Sequence, residues 1–195
     1  MTPYLAPIEK PKGLRLRLLG MMLRRVFPKT PGWFTVFSSR MPFAFTMWIG
    51  KAGQLNKKLQ IGPDTSALIR ARVDDLNMCT HCADAGRWYI GEKQPHLLPK
   101  VEALHDYQTN RLFSNKERAA LDFATELTEH KHISPDTFSA LSQHYSERQI
   151  CEIVWVASSN HLNNINNLGL GIGSDGLCEL AKQKTNARKH ELSAL

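Results

Sequence analysis

The residues whose types and spacing bear chemistry are Cys79-Thr80-His81-Cys82. Two cysteines three positions apart at the start of a helix fall on one face, near enough to form a disulfide with each other. The free N–H groups and dipole of a helix N-terminus favour thiolate over thiol, and an imidazolium between the cysteines pushes the same way; His81 is the candidate imidazole. Haem attachment needs His directly after the second cysteine, and Ala83 stands there. A structural zinc site needs four ligands, yet the chain has no second C-x-x-C and no H-x-x-x-H, so Cys151, Cys178, His130, His132 and His161 contribute only by coincidence of fold. Thioredoxin-like chemistry wants strands alternating with helices around the motif. From the residues alone three readings stay open: a redox pair on a helical scaffold, which the local pattern favours, an incomplete zinc site, and inert buried cysteines.

The elements that must position the motif read as helices almost throughout, with no sustained strand alternation; the expected class is all-α. A first helix is expected over about Gly13 to Phe27, stopped by Pro28 and Pro31, and another follows Pro42 to about Leu59. Asp64 is the expected N-cap of a helix over Thr65 to Asn77, and the next begins near Cys79 and runs to Ile90, ending at Gly91 and Pro95. Two capping boxes, Ser114 to Glu117 and Ser146 to Gln149, each open a long helix, to about Lys131 and Leu168. Ser134-Pro135 starts a short helix between them, and a last short one follows from about Asp175.

Composition bounds the rest. With 195 residues, 42% hydrophobic and 22% charged, the chain can build a core without disulfides or metal to hold it. Four cysteines at 79, 82, 151 and 178 are too few and too uneven for a secreted disulfide scaffold, so a reducing compartment is expected. The apolar runs near Leu18 to Leu23 and Met41 to Gly50 are too short to cross a bilayer, and arginines interrupt any secretory signal; a cytoplasmic location is the expectation. The first 60 residues hold 11 Lys/Arg against one acid, Glu9, for +10, whereas the remainder carries −3. This basic segment suits a solvated oligomer arm or a peripheral membrane contact, since Leu14, Leu18, Met21, Met22 and Val26 fall near helical spacing. No motif or Gly/aromatic platform accompanies it, so no nucleic acid is expected. The organisation read here is a basic helical arm (1–60), a helical domain (61–183) and a polar tail (184–195).

The stretches LIRARVDDLNMCTHC (68–82), FSNKERAALDFATEL (113–127) and Phe138 through Leu168, ending in the Gly-rich LGLGIGSDGLC, resemble the carboxymuconolactone decarboxylase superfamily and, within it, the AhpD-like alkylhydroperoxidases. The resemblance spans about residues 60–180 and implies an AhpD-like all-α domain that assembles as a homo-oligomer, trimer or hexamer. It also implies hydroperoxide reduction through the two cysteines, with Cys82 as the attacking thiolate, Cys79 as the resolving partner and His81 as a relay histidine. The family's glutamate twelve positions before the first cysteine falls on Ala67, and its histidine four after the second falls on Gly86, so both are missing. Proton delivery then needs another donor. Asp74, Asp75 and Asp84 are near in sequence, although each also reads as a solvated surface charge, and His161 can arrive from the C-terminal helix. Asn163 matches a family Asn on that helix, while Asn164 stands where Arg is common; His161, Asn163 and Asp75 are the expected site-lining residues.

The expected function is a thiol-dependent antioxidant peroxidase with a hydroperoxide substrate, a thiol or dithiol reductant, no cofactor and no metal. Two alternatives remain: a lactone decarboxylase, against which the C-x-x-C argues because that activity needs no cysteine pair, and a non-catalytic oligomeric or membrane-contacting redox sensor.

Overall fold

The computed structural model describes residues 2–43 and 48–181, with side chains at 48 and 49 left aside. Among the described residues there are helices and no strands. The longer helices are α1 (Leu14–Val26), α2 (Gly62–Leu76), α3 (Thr80–Lys93), α4 (Leu98–Glu102), α5 (Asn115–His130), α6 (Pro135–Ser142) and α7 (Glu147–Gly169). A π-helical segment, Trp33–Ser38, follows α1, and residues 177–181 form a final helical turn. The expected helix from Pro42 is only partly described, because residues 44–47 lie outside the described part, as does the polar tail 184–195. No helix among the described residues is long and apolar enough to cross a membrane.

Helix α2 is the axis of the packing, buried on two sides. Ile69 and Val73 meet Ala120, Phe123 and Ala124 of α5, Leu141 of α6, and Ile153 and Val156 of α7. On its other side Leu68 and Ala71 meet Ile90 of α3, Leu97, Val101 of α4 and Leu104. Each such fully buried aliphatic side chain contributes about 1.5–3 kcal/mol of transfer free energy. Both capping boxes form as expected, with Ser114 and Ser146 accepting from the N–H of Glu117 and Gln149.

Two boundaries differ from the sequence expectation. Asp64 is not the N-cap of α2: the helix begins two residues earlier, at Gly62, and Asp64 sits in its first turn, bonded to Gln94 and His96. The N-cap is Ile61, without a side-chain cap, and the turn that leads into the helix is held from a distance. Glu152 of α7, buried, accepts from the backbone N–H of Gln60 (2.6 Å) and Ile61 (3.1 Å), while Arg148 pairs with its other oxygen. Helix α3 runs past Gly91 to Lys93, because a glycine breaks a helix only weakly and Pro95 is the effective stop.

The N-terminal segment packs onto the domain rather than standing off it. Tyr4 N–H donates to the Leu170 carbonyl, Phe34 and Val36 are buried, and Phe27 lies against Trp88 with ring centroids 4.8 Å apart. Gly32 lies where a Cβ would come within 2.9 Å of Ile172, and its N–H donates to Asp175 at 2.8 Å. On α1, by contrast, Leu14, Leu18, Met21, Met22 and Val26 are all exposed in the single chain.

Candidate active site

The junction between α2 and α3 places the cysteines. Helix α2 ends in a Schellman motif: Met78 takes a left-handed conformation (φ 53°), its N–H donates to the Asp75 carbonyl, and the Cys79 N–H donates to the Asp74 carbonyl. The chain therefore turns sharply and delivers Cys79 as the N-cap of α3, its Sγ accepting from the Cys82 N–H at 3.3 Å. Cys79 and Cys82 form a disulfide, with their Cα atoms 5.2 Å apart. Cys79 is only 1% exposed, whereas Cys82 is half-buried. Helix N-terminal electrostatics favour Cys79 as the more acidic thiol, but access favours Cys82 as the one a substrate meets.

The surroundings of Cys82 come from α7. Asn160, Asn164 and Asn167, at i, i+4 and i+7, form one buried stripe. Asn167 donates to Cys82 Sγ at 3.3 Å, and Asn160 and Asn164 each donate to Asp74 Oδ1 at 2.7 Å. Asn77, two residues before Cys79, donates to Asn164 Oδ1 (2.7 Å) and to His161 Nδ1 (2.8 Å). So His161 does reach the junction, and burial lowers its pKa. Asn163 is half-buried and has no side-chain hydrogen bond among the described residues; the stripe uses its neighbours Asn164 and Asn167.

His81 is held by the C-terminal segment rather than by a cysteine sulfur. It is 2% exposed, and its Nδ1 lies 3.2 Å from the Gly173 carbonyl and 3.4 Å from Asp175 Oδ2. Its buried Nε2 has no hydrogen-bond partner, and neither ring nitrogen is bonded to a cysteine sulfur. Burial lowers its pKa in spite of Asp175, so the ring is held neutral rather than as an imidazolium assisting a thiolate. Its contacts tie the first turn of α3 to the segment 173–175, and through Asp175 to Gly32 and Lys29.

The three carboxylates divide sharply. Asp84 serves the C-terminal turn: although burial alone raises its pKa, hydrogen bonds from the Leu177 and Cys178 N–H groups and the Ser174 hydroxyl hold it below the usual carboxylate range. Asp75 is paired with Arg87 at 2.9 Å. Asp74 is no surface charge. It is 4% exposed, and burial pushes its pKa up to about 6 against the pull of the Asn164 and Asn160 amides. Its Oδ2 has no hydrogen-bond partner among the described residues, and a Cβ on Gly86 would come within 3.4 Å of it.

Asp74, Asp75 and Gly86 line a cavity of about 280 Å³ between α2 and α3, together with Ala67, Arg70 and Arg87. Both positions at which the resembled family carries its relay acid and histidine, Ala67 and Gly86, thus open onto one space. Gly86 lies one turn beyond Cys82 on the same face of α3, and Ala83, next to Cys82, also lines the cavity. Among the described residues no three His, Cys, Asp or Glu side chains gather to hold a metal. Cys151 is an exposed cysteine outside the disulfide, and Cys178 is half-buried with its Sγ donating to the Asp84 carbonyl.

Comparison with solved structures decides the architecture. An uncharacterized peroxidase-related protein with an alkylhydroperoxidase AhpD core, from Ralstonia eutropha JMP134, superposes with a TM-score of 0.68 at 19% identity, over 88% of this chain and 91% of that one. The chain has the AhpD-like fold. The debrominase Bmp8, as a cysteine-to-alanine variant in complex with 2,3,4-tribromopyrrole, shares this fold with a TM-score of 0.76 at 18% identity, over 94% of this chain and 98% of that one. In sequence, the uncharacterized protein YnjA of Escherichia coli (strain K12) is 25% identical over 152 residues, 75% of this chain and 81% of its own length. No family model matches the chain. Within the AhpD-like fold Asn167, Arg70 and Asn77 were missed by sequence reasoning; the i, i+4, i+7 spacing of the asparagines was the available signal for Asn167.

Proposed function

We propose that the protein is a dithiol oxidoreductase that reduces hydroperoxides through Cys79 and Cys82. The observation that carries this reading is the Cys79–Cys82 disulfide at the start of α3, with Cys82 half-buried and Ala83 and Gly86, beside and one turn beyond it, lining a cavity. In the reduced protein the Cys82 thiolate attacks the terminal peroxide oxygen. An S–O bond forms, the O–O bond breaks, and the alkoxide leaves as alcohol with a proton from the Asp74 carboxyl. Cys79 then attacks the Cys82 sulfenic acid, the S–S bond forms and water leaves. An external dithiol returns both electrons and both protons.

Asp74 takes the donor role because it is the buried carboxyl facing Gly86, where the inherited relay is absent. Its pKa of about 6 suits proton donation near neutral pH. Titration tests the reading directly: one equivalent of cumene hydroperoxide should remove two thiols per chain from reduced protein, with a two-hydrogen mass loss confined to the peptide bearing Cys79 and Cys82. Loss of thiol only at Cys151 or Cys178 would sink it.

A second reading draws on Bmp8, whose coverage of the chain includes most of the N-terminal segment. The same dithiol can remove a halogen from a small organic halide, R–X plus two thiols giving R–H, halide, a proton and the disulfide. Halide release on incubation of reduced protein with a bromopyrrole favours this reading over the first.

Assembly is the remaining part of the proposal. The exposed apolar residues of α1, and Val154, Leu162, Ile165 and Leu168 along the outer face of α7, suit contact with further copies of the chain. Light scattering at micromolar concentration should report a trimer or hexamer. A monomer would leave the basic α1 face for an anionic lipid surface instead.

A further inference from the structure

Arg70 stands one turn before Asp74 on α2 and lines the same cavity, yet among the described residues its guanidinium makes no hydrogen bond and no ion pair. The neighbouring arginines are committed. Arg72 donates to Thr125 and lies over the Tyr107 ring, and Arg87 is held by Asp75. Burial lowers the Arg70 pKa, a mark of a guanidinium withdrawn from water, and Asp74 opposes this only through space. Asp74 is not its partner, because the Oδ1 oxygen is occupied by the Asn160 and Asn164 amides and the carboxylate stays outside ion-pair distance. A guanidinium with its N–H donors unspent beside a cavity is costly until an anion takes them, and its planar fork matches a carboxylate.

Of the carboxylates that share the space, Asp75 is paired with Arg87 and Asp74 is held by the asparagine amides, and one wall is apolar. Leu59, Pro63, Ala67, Ala71 and Ile90 form that wall, and the cavity volume, about 280 Å³, lies at the small end of ligand pockets. We propose that this cavity binds a small organic carboxylate, with Arg70 gripping the carboxylate and the Ala67, Ala71 and Ile90 wall holding the apolar body. The proposal rests on the dithiol reading for its reactive end: the substrate is then a hydroperoxide or halide that also carries an acid group, held by the acid so that its reactive end lies towards Gly86 and Cys82. Arg70 acts as a specificity residue, since it grips a part of the substrate that does not react.

Binding of an unreactive probe separates this proposal from the redox chemistry. Calorimetric titration of the full chain with 4-isopropylbenzoate should show millimolar or tighter binding to wild type and equally to Cys82→Ser, with 4-isopropylbenzyl alcohol bound far more weakly. Arg70→Gln should weaken the carboxylate by about ten- to a hundredfold and leave the alcohol unchanged, and Arg70→Lys should restore part of the difference. Thermal unfolding of both variants checks that they fold; if Arg70→Gln does not, the wild-type preference for acid over alcohol and the Arg70→Lys value decide. Equal binding of acid and alcohol to wild type overturns the proposal. So does carboxylate affinity unchanged in Arg70→Gln, or no binding of 4-isopropylbenzoate, benzoate or hexanoate at millimolar concentration. Carboxylate binding without peroxide turnover would leave the site standing and remove the peroxidase reading alone.

Discussion

Replacing Cys82 by serine abolishes hydroperoxide turnover, a loss on the order of 10³-fold or more, because serine is not ionised near neutral pH and cannot carry the oxidised sulfur intermediate. Cys79→Ser behaves differently. It leaves Cys82 able to attack one peroxide and stop, so dimedone should trap a sulfenic acid at Cys82 in that variant and none in Cys82→Ser. The asymmetry follows from the burial of Cys79 beside the half-buried Cys82, even though the N–H of Cys82 aims at the Cys79 sulfur. Helix N-terminal stabilisation then belongs to the resolving thiolate, and access selects the attacking one. A Cys79→Ser protein that traps nothing, with Cys82→Ser trapping at Cys79, would invert the roles. His81→Ala should lower the rate by displacing the first turn of α3 from Gly173 and Asp175, without moving the pH at which Cys82 reacts.

Asp74→Asn should lower turnover by about 10²-fold or more while making the protein more stable at neutral pH. Both effects have one origin. A carboxyl with a folded pKa of about 6 against an ordinary 3.8 donates protons well, but its charged form is disfavoured in the native state. Its contribution to stability is therefore fully present below the unfolded value, near 3.8, and is lost as pH rises through about 6. The change is on the order of 3 kcal/mol at most for two pH units. Asparagine accepts at the same oxygen without charge, so Asp74→Asn should melt several degrees above wild type at pH 8 and alongside it at pH 4. The wild-type rate should fall as pH rises through about 6, on top of a rise as the thiolate forms, and the falling limb should vanish in the variant. A falling limb that survives in Asp74→Asn assigns the proton to another group, with His161 next to be tested. An unchanged rate together with raised stability would reduce Asp74 to a structural buried acid.

Local signals in the sequence carried much of the fold because they act over a few residues. The Ser114 and Ser146 boxes and the Ser134-Pro135 pair satisfy their own N–H groups and open their helices where expected. The α2 start was misplaced because the turn before it is held by Glu152, some ninety residues away in sequence, and no local pattern announces it. Cys79 and Cys82 were legible as a pair for the same local reason that made the boxes legible: helical spacing alone puts them together. The neighbours of His81 at positions 173 and 175, and the burial that lowers its pKa, are tertiary facts that the local sequence does not carry.

By itself the sequence determined an all-α chain and the cysteine pair at a helix start, because spacing and capping are properties of the chain read in order; that Ala67 and Gly86 stand at vacant relay positions is what the family resemblance implies. Only the tertiary structure decided that both positions face one cavity, that Asp74 is buried there with a raised pKa rather than solvated, and that the Arg70 guanidinium has no hydrogen-bond or ion-pair partner among the described residues. Burial and charge pairing are sums over neighbours brought in by α3 and α7, and the local sequence around Arg70 and Asp74 is equally compatible with a solvated helix face.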